Sequence, residues 1–158
     1  VRGMDREYVG NYVGVVMRQE IAAGQEEEFR QSEISDGTIR AAGVLAALFQ
    51  PSVAHDGTSL VAIEEPELAL HPAAAGVLFD ALTEASQRVQ VVATSQSADL
   101  FDRDDIDPTN IRVVTYHGGR TIIGEVDEAS ARIAIDHRMT IGELMRGNQL
   151  SPRPPERA

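Results

Sequence analysis

Two apolar runs, separated by one helix's length of chain, constrain this fold more than anything else in the sequence. Ser59–Ile63 is a run of strand length that reads as buried on both faces. His71-Pro72 then opens a helix, with proline at a favoured first-turn position. Ala74, Val77, Leu78, Ala81, Leu82 and Ala85 keep its i, i+3, i+4 stripe. Val89–Ala93 reads as a second, largely apolar strand. Strand, amphipathic helix, strand is the rhythm of a parallel βαβ unit, because parallel neighbours need a long crossover. The expected class is α/β, a parallel sheet with flanking helices. In such sheets chemistry collects at the carboxyl ends of the strands. Two polar clusters stand there: Glu64-Glu65-Pro66-Glu67 and Thr94-Ser95-Gln96-Ser97.

The flanking segments read more simply. Tyr12–Met17 is a strand, Ala22–Gly24 a turn, and Glu26–Gln31 a partner strand, which together make a hairpin. Ser32–Thr38 is a polar loop. It enters a helix over Ile39–Gln50, whose Ile39, Ala42, Leu45, Ala46 and Phe49 share a face and which Pro51 ends. Ile111–Tyr116 and Arg120–Val126 form a second hairpin around Gly118-Gly119, and Thr140–Met145 is a short helix. Residues 1–146 read as one unit, and the proline-rich 147–158 as a disordered tail.

Composition removes several chemistries. The 158 residues carry a formal charge of 14 − 25 = −11, which argues against a nucleic-acid binder built on a broad basic face. All 14 basic residues are arginine, so Schiff-base, Ser-Lys and P-loop lysine chemistry is excluded within these residues. There is no cysteine. The longest apolar stretch, Ala41–Phe49, is under half of the roughly 20 residues a spanning helix needs. With no signal-like core at the start, a cytoplasmic, membrane-free protein is expected.

Adjacent carboxylates Glu64 and Glu65 at a strand mouth suit magnesium-dependent phosphoryl chemistry, one holding the metal and the other polarising water. The bland reading is an acidic turn. Ser35-Asp36-Gly37-Thr38 could offer backbone N–H groups to a phosphate, or simply cap a helix through Ser35 or Asp36. Gln96 could reach a terminal phosphate, or cap a short helix toward Phe101. Asp102, Asp104, Asp105 and Asp107 could hold a metal, but read better as a solvated loop. His55, His71, His117 and His137 lack ligand spacing.

Taken in order, these pieces resemble the C-terminal half of an ABC-type ATPase core of the SMC, RecF and OLD kind. Within that group they look most like the bacterial AAA-family ATPases. Ile34-Ser-Asp-Gly-Thr-Ile-Arg40 resembles the signature motif, and Leu60–Glu67 the Walker B strand with its catalytic glutamate. Leu70-His-Pro72 resembles the D-loop, Val91–Ser97 the switch strand, and Met139–Met145 the C-terminal helix. The resemblance implies a P-loop NTPase-like fold with ATP and Mg2+ as cofactors. It places Glu64 behind the magnesium and makes Glu65 the general base. Ser35, Asp36, Gly37 and Thr38 would face the γ-phosphate of an ATP held by the opposite subunit, Gln96 would stand at the switch, and His71 at the dimer seam. The partner would be a second copy or a Walker A-bearing half, with DNA or a neighbouring effector protein as further candidates.

Two departures qualify this. The family's switch histidine is Gln96 here, and the proline that follows it is Ala98. No Gly-x-x-x-x-Gly-Lys loop is present, so the sequence reads as the second half of the core, cut or naturally truncated. Two other functions remain open at this point: a degenerate interaction module that keeps the fold, and a toprim-like nuclease using Glu64 or Glu65 with the aspartate run.

Overall fold

The structure is a computed structural model that describes residues 2–50 and 57–153. Its centre is the expected parallel pair. β4 (Leu60–Glu64) lies beside β5 (Gln90–Thr94), with Val61 opposite Val91 and Glu64 opposite Thr94. The crossover is α2 (Ala75–Ser86), entered through a 3₁₀ turn at Pro72–Ala74 that the His71 side chain caps. α1 (Asp36–Leu48) packs on β4 and on α2. Val44, Leu48, Val61, Leu78, Ala85 and Leu100 are the buried centre of this layer. α1 ends at Leu48 with Phe49 as its C-cap, two residues short of the expected Gln50. Pro51, expected to end it, and His55 lie outside the described residues.

The sheet departs from expectation in one respect. It is not buried on both faces: Leu60 is 49% exposed and Val92 48%. Side chains alternate along a strand, so Val61 and Ile63 meet the helices while Leu60, Ala62 and Val92 face the other way. No described element covers that second face. An apolar run reports that a strand can be buried twice, and cannot report what arrives to bury it.

The N-terminal part is a three-stranded antiparallel sheet rather than a hairpin. β1 (Gly3–Val9) pairs with β2 (Tyr12–Ala22), which pairs with β3 (Gln25–Arg30). β1 escapes a hydrophobicity reading because Asp5, Arg6 and Glu7 fill its middle. Cross-strand ion pairs Arg18–Asp5 and Arg30–Glu7 match those charges instead. β6 (Arg112–His117) and β7 (Arg120–Glu125) form the second hairpin. Gly118 and Gly119 take φ of 58° and 80°, as a two-residue hairpin turn requires.

Two further elements complete the chain. α3 (Glu128–Ile135) was not read from the sequence; Asp127 caps it by accepting from the N–H groups of Ala129 and Ser130, both at 3.1 Å. α4 (Ile141–Arg146) starts on a capping box between Thr140 and Glu143. The segment read as a frayed tail from Gly147 is held as far as Arg153. Pro152 bridges Val126, the Arg153 N–H donates to the Glu125 carbonyl at 2.7 Å, and the Ser130 hydroxyl donates to the Gln149 carbonyl at 3.1 Å. Proline cannot donate to a ladder, but it is tolerated at an edge.

α4 is latched onto the short 3₁₀ segment Ala98–Phe101 that follows β5. Ile141 and Leu144 are fully buried beside Ile106, and Phe79 and Phe101 join this cluster to the first one. Arg146 pairs with Asp99 at 2.6 Å and Asp102 at 2.8 Å, and the Thr140 hydroxyl donates to Asp102 at 2.8 Å. Asp105 pairs with Arg103, and Asp107 caps the turn at Pro108. Asp102, Asp105 and Asp107 are therefore built into ion pairs and a cap, while Asp104 is exposed as expected of a solvated loop.

Gly142 permits the latch. A Cβ there would meet the Ala98 carbonyl oxygen at 2.3 Å and the Asp102 nitrogen at 2.9 Å. Gly142→Ala should cost about 1–3 kcal/mol, as overpacking does. Gly43→Ala is the control. Gly43 sits inside α1 with nothing within 4 Å of a new Cβ, so alanine should add about 0.5–1 kcal/mol. Urea unfolding of the two variants should move in opposite directions.

The latch also carries a pH dependence. The Thr140 hydroxyl and the Arg146 guanidinium hold the Asp102 carboxyl below its usual range. A depressed folded pKa means that the unfolded chain binds the proton more readily. The stabilisation is therefore complete above the ordinary Asp value of 3.8 and is lost as pH falls through the lowered one. Asp102→Asn should flatten the acid limb of an unfolding-versus-pH curve below about pH 4. At neutral pH it should cost under about 1 kcal/mol, since the pair is exposed.

Candidate functional site

Parallel pairing sends β4 and β5 out of the sheet at the same end, so the two polar clusters become neighbours. The Glu65 N–H donates to the Thr94 carbonyl at 2.9 Å, extending the ladder one step beyond the strands. The Gln96 N–H donates to the Glu65 carboxylate at 3.3 Å. The Ser95 hydroxyl donates to the Glu67 carboxylate, and the Ser97 N–H donates to the Ser95 oxygen at 3.0 Å. Glu64 is exposed at the strand mouth beside them.

The turn after β4 is tightly specified. Leu68 N–H donates to the Glu65 carbonyl and Leu70 N–H to the Glu67 carbonyl, giving two overlapping turns around the buried ring of Pro66. Glu65 takes φ 46° and Ala69 φ 67°, conformations costly for residues with a Cβ. Arg40 on α1 offsets part of that cost: its Nη2 donates to the Glu65 carbonyl at 2.7 Å and to the Glu64 carbonyl at 3.1 Å. Sequence reasoning gave Arg40 no role. Nothing local distinguishes it from a solvated helix arginine, and only its place beside Ser35-Asp36-Gly37-Thr38 could have drawn attention to it.

Those four residues join the site through packing. Ser35 is the N-cap of α1; its oxygen accepts from the Thr38 N–H at 3.2 Å and meets the Thr38 hydroxyl at 2.8 Å. The cap is Ser35 and not Asp36. Asp36 lines an open hollow of about 450 Å³ with Glu7, Arg30 and Ile39, on the side of the three-stranded sheet. Gly37 faces the turn after β4: a Cβ would meet the Ala69 carbonyl oxygen at 2.3 Å. His71 is exposed and its Nδ1 accepts from the Ala73 N–H at 3.1 Å, which puts the ring proton of the neutral form on Nε2. Gln96 does not cap the following 3₁₀ segment; Ser97 holds that place without a side-chain bond, and the exposed Gln96 contributes its backbone instead.

Glu64, Glu65 and the Gln96 loop thus meet at one sheet end, and the α1 start reaches it through Gly37 and Arg40. Among the described residues no three His, Asp or Glu side chains gather as a metal-holding group. Magnesium keeps several waters and takes one or two carboxylates plus substrate phosphates. The few exposed carboxylates here suit an ion that keeps most of its waters, and do not fit a cation caged by protein alone. No described helix is long and apolar enough to cross a membrane.

A structure described as "Structural biochemistry of ATP-driven dimerization and DNA stimulated activation of SMC ATPases" is similar to this chain, with a TM-score of 0.57 and 14% identity. The match covers 87% of this chain and 82% of that one. At that identity the likeness establishes the fold alone, an α/β architecture with a parallel strand pair and flanking helices shared with that SMC ATPase structure. No curated protein matches the sequence. A family model matches residues 3–102, more than half of the chain, and it spans the three-stranded sheet, α1, the parallel pair and the 3₁₀ segment after β5. The chain belongs to the family described as "AAA domain, putative AbiEii toxin, Type IV TA system".

Proposed function

We propose that these residues form the signature and Walker B side of an ATPase site, completed by a P-loop that another segment or chain supplies. The observation that carries this reading is the meeting of Glu64, Glu65 and the Gln96 loop at the carboxyl end of β4 and β5. ATP with magnesium would supply the reacting phosphate and the charge that activates it. Glu64 would hold that ion, and Glu65 would accept a proton from an attacking water. The strained backbone of Glu65 supports a functional reading, since an ordinary turn has no need of a left-handed glutamate clamped by an arginine.

Ser35, Asp36, Gly37 and Thr38 would present α1's first N–H groups to a nucleotide on the opposite subunit, with His71 at the seam of a head-to-tail dimer. The open face of Leu60, Ala62 and Val92, with outer sheet edges that pair with no other strand among the described residues, would offer a docking place for the P-loop half. What the cycle would drive, DNA or an effector protein, is a further step that no residue of the site addresses.

The second reading, an interaction module without catalysis, draws on Gln96 and on the absence of lysine. The toprim reading has less support, since Arg146 and Arg103 pair with Asp102 and Asp105 of its proposed metal set. Turnover separates the first two. In a protein that supplies the P-loop, Glu65→Gln should lower ATP hydrolysis by about 10²- to 10⁴-fold while ATP binding persists. Steady-state turnover and equilibrium nucleotide binding, measured on the same preparation, check both halves of this expectation. Unchanged turnover would remove the base role from Glu65, and no turnover in either form would favour the interaction module.

A further inference from the structure

We infer that Glu67 is a positioning residue that registers the loop after β5 against the turn after β4 and so holds the Gln96 N–H on the Glu65 carboxylate. Its catalytic consequence rests on the reading of Glu65 as the base; its structural content does not.

The protons at Ser95 fix what Glu67 must do. A serine hydroxyl has one proton to give and lone pairs to receive. The Ser95 oxygen receives the Ser97 N–H at 3.0 Å, and its own proton goes to Glu67. Glu67 must then be an acceptor at that oxygen, which a carboxylate or a side-chain amide carbonyl can be and a methyl cannot. Ser95 is half-buried and lies 28 residues along the chain from Glu67, so this is a tie between two separate loops.

The neighbouring tie is weaker. The Gln96 N–H reaches Glu65 at 3.3 Å in an exposed setting, where water competes for both groups. What keeps it is the placement of the peptide between Ser95 and Gln96, and that peptide is fixed from the Ser95 side chain outward. Removing the Glu67 acceptor frees Ser95, then the Ser97 N–H, and then the Gln96 N–H. A base held to a defined orientation by a second layer of hydrogen bonds is how sites keep productive geometry.

Burial distinguishes this from an incidental acidic turn. The second oxygen of Glu67 is buried and has no partner among the described residues. Buried carboxylate oxygens without partners are uncommon because water would serve them better. A solvated turn residue would be free of that penalty, so the position of Glu67 is explained by what its other oxygen holds.

Amide hydrogen exchange, read by NMR on the full 158-residue chain, tests this without nucleotide. Glu67→Ala and Ser95→Ala should each speed exchange at Ser97 and Gln96 by about tenfold, and leave Val91 and Val92 inside β5 within about twofold. Glu67→Gln should keep exchange near that of the parent, because its amide oxygen still accepts from Ser95. Ser95→Ala carries the test if Glu67→Ala fails to fold. Unchanged exchange at Ser97 and Gln96 in Ser95→Ala would overturn the inference, as would a Glu67→Gln variant as fast as Glu67→Ala. In a P-loop-supplying protein, Glu67→Ala should lower kcat with KM unchanged and Glu67→Gln should restore it. Altered exchange in a protein that hydrolyses no ATP would sink the ATPase reading and leave the tie intact.

Discussion

The parallel register of β4 and β5 is the constraint from which the site follows. With Glu64 opposite Thr94, both strands end at the same level, and the residues after each emerge side by side. An antiparallel pair would put the turn after one strand at the far end of the other. The register is set by burial: Val61 and Ile63 must meet the helical layer, and a slip of one residue would turn them out and bring Leu60 and Ala62 in. Apolar packing on one face therefore fixes the position of carboxylates that take no part in that packing.

Around this pair, a few groups each hold two elements together. Arg40 anchors α1 to the turn after β4 and also supports the left-handed Glu65. Gly37 lets α1's first turn close on the Ala69 carbonyl. Gly142 and Arg146 bring α4 onto the segment that leaves the Gln96 loop. The family match ends at residue 102, within that latch, and α4 is tied to the matched core through Asp99, Asp102 and the packing on Phe79.

The strand–helix–strand unit was legible in the sequence because apolar periodicity is local: Leu78 and Ala85 occupy the face that their spacing assigns. The second hairpin was legible because Gly118-Gly119 is a local turn signal. Burial was less legible, since it depends on partners. Leu60 and Val92 look like core residues and stand open. β1 carries no apolar pattern and is a paired strand held by Arg18 and Arg30. Ser151 and Pro152 look frayed and sit beside Val126 and Asp127. At the site, the run Glu64-Glu65-Pro66-Glu67 was visible at once, while the roles of Arg40 and of the Gln96 backbone needed the fold. They come from contacts between residues 25 and 31 positions apart.

The central claim is that one end of this sheet is a nucleotide face that is incomplete without a P-loop. The most direct test is amide chemical-shift mapping with a magnesium complex of a non-hydrolysable ATP analogue. The labelled chain would be titrated alone and then in the presence of a P-loop-bearing half. The account predicts no micromolar binding by the chain alone. With the half present, it predicts shifts concentrated at Ser35–Thr38, Glu64, Glu65 and Gln96. Micromolar binding by the chain alone, or saturation with the half present that leaves those residues unmoved, would contradict it.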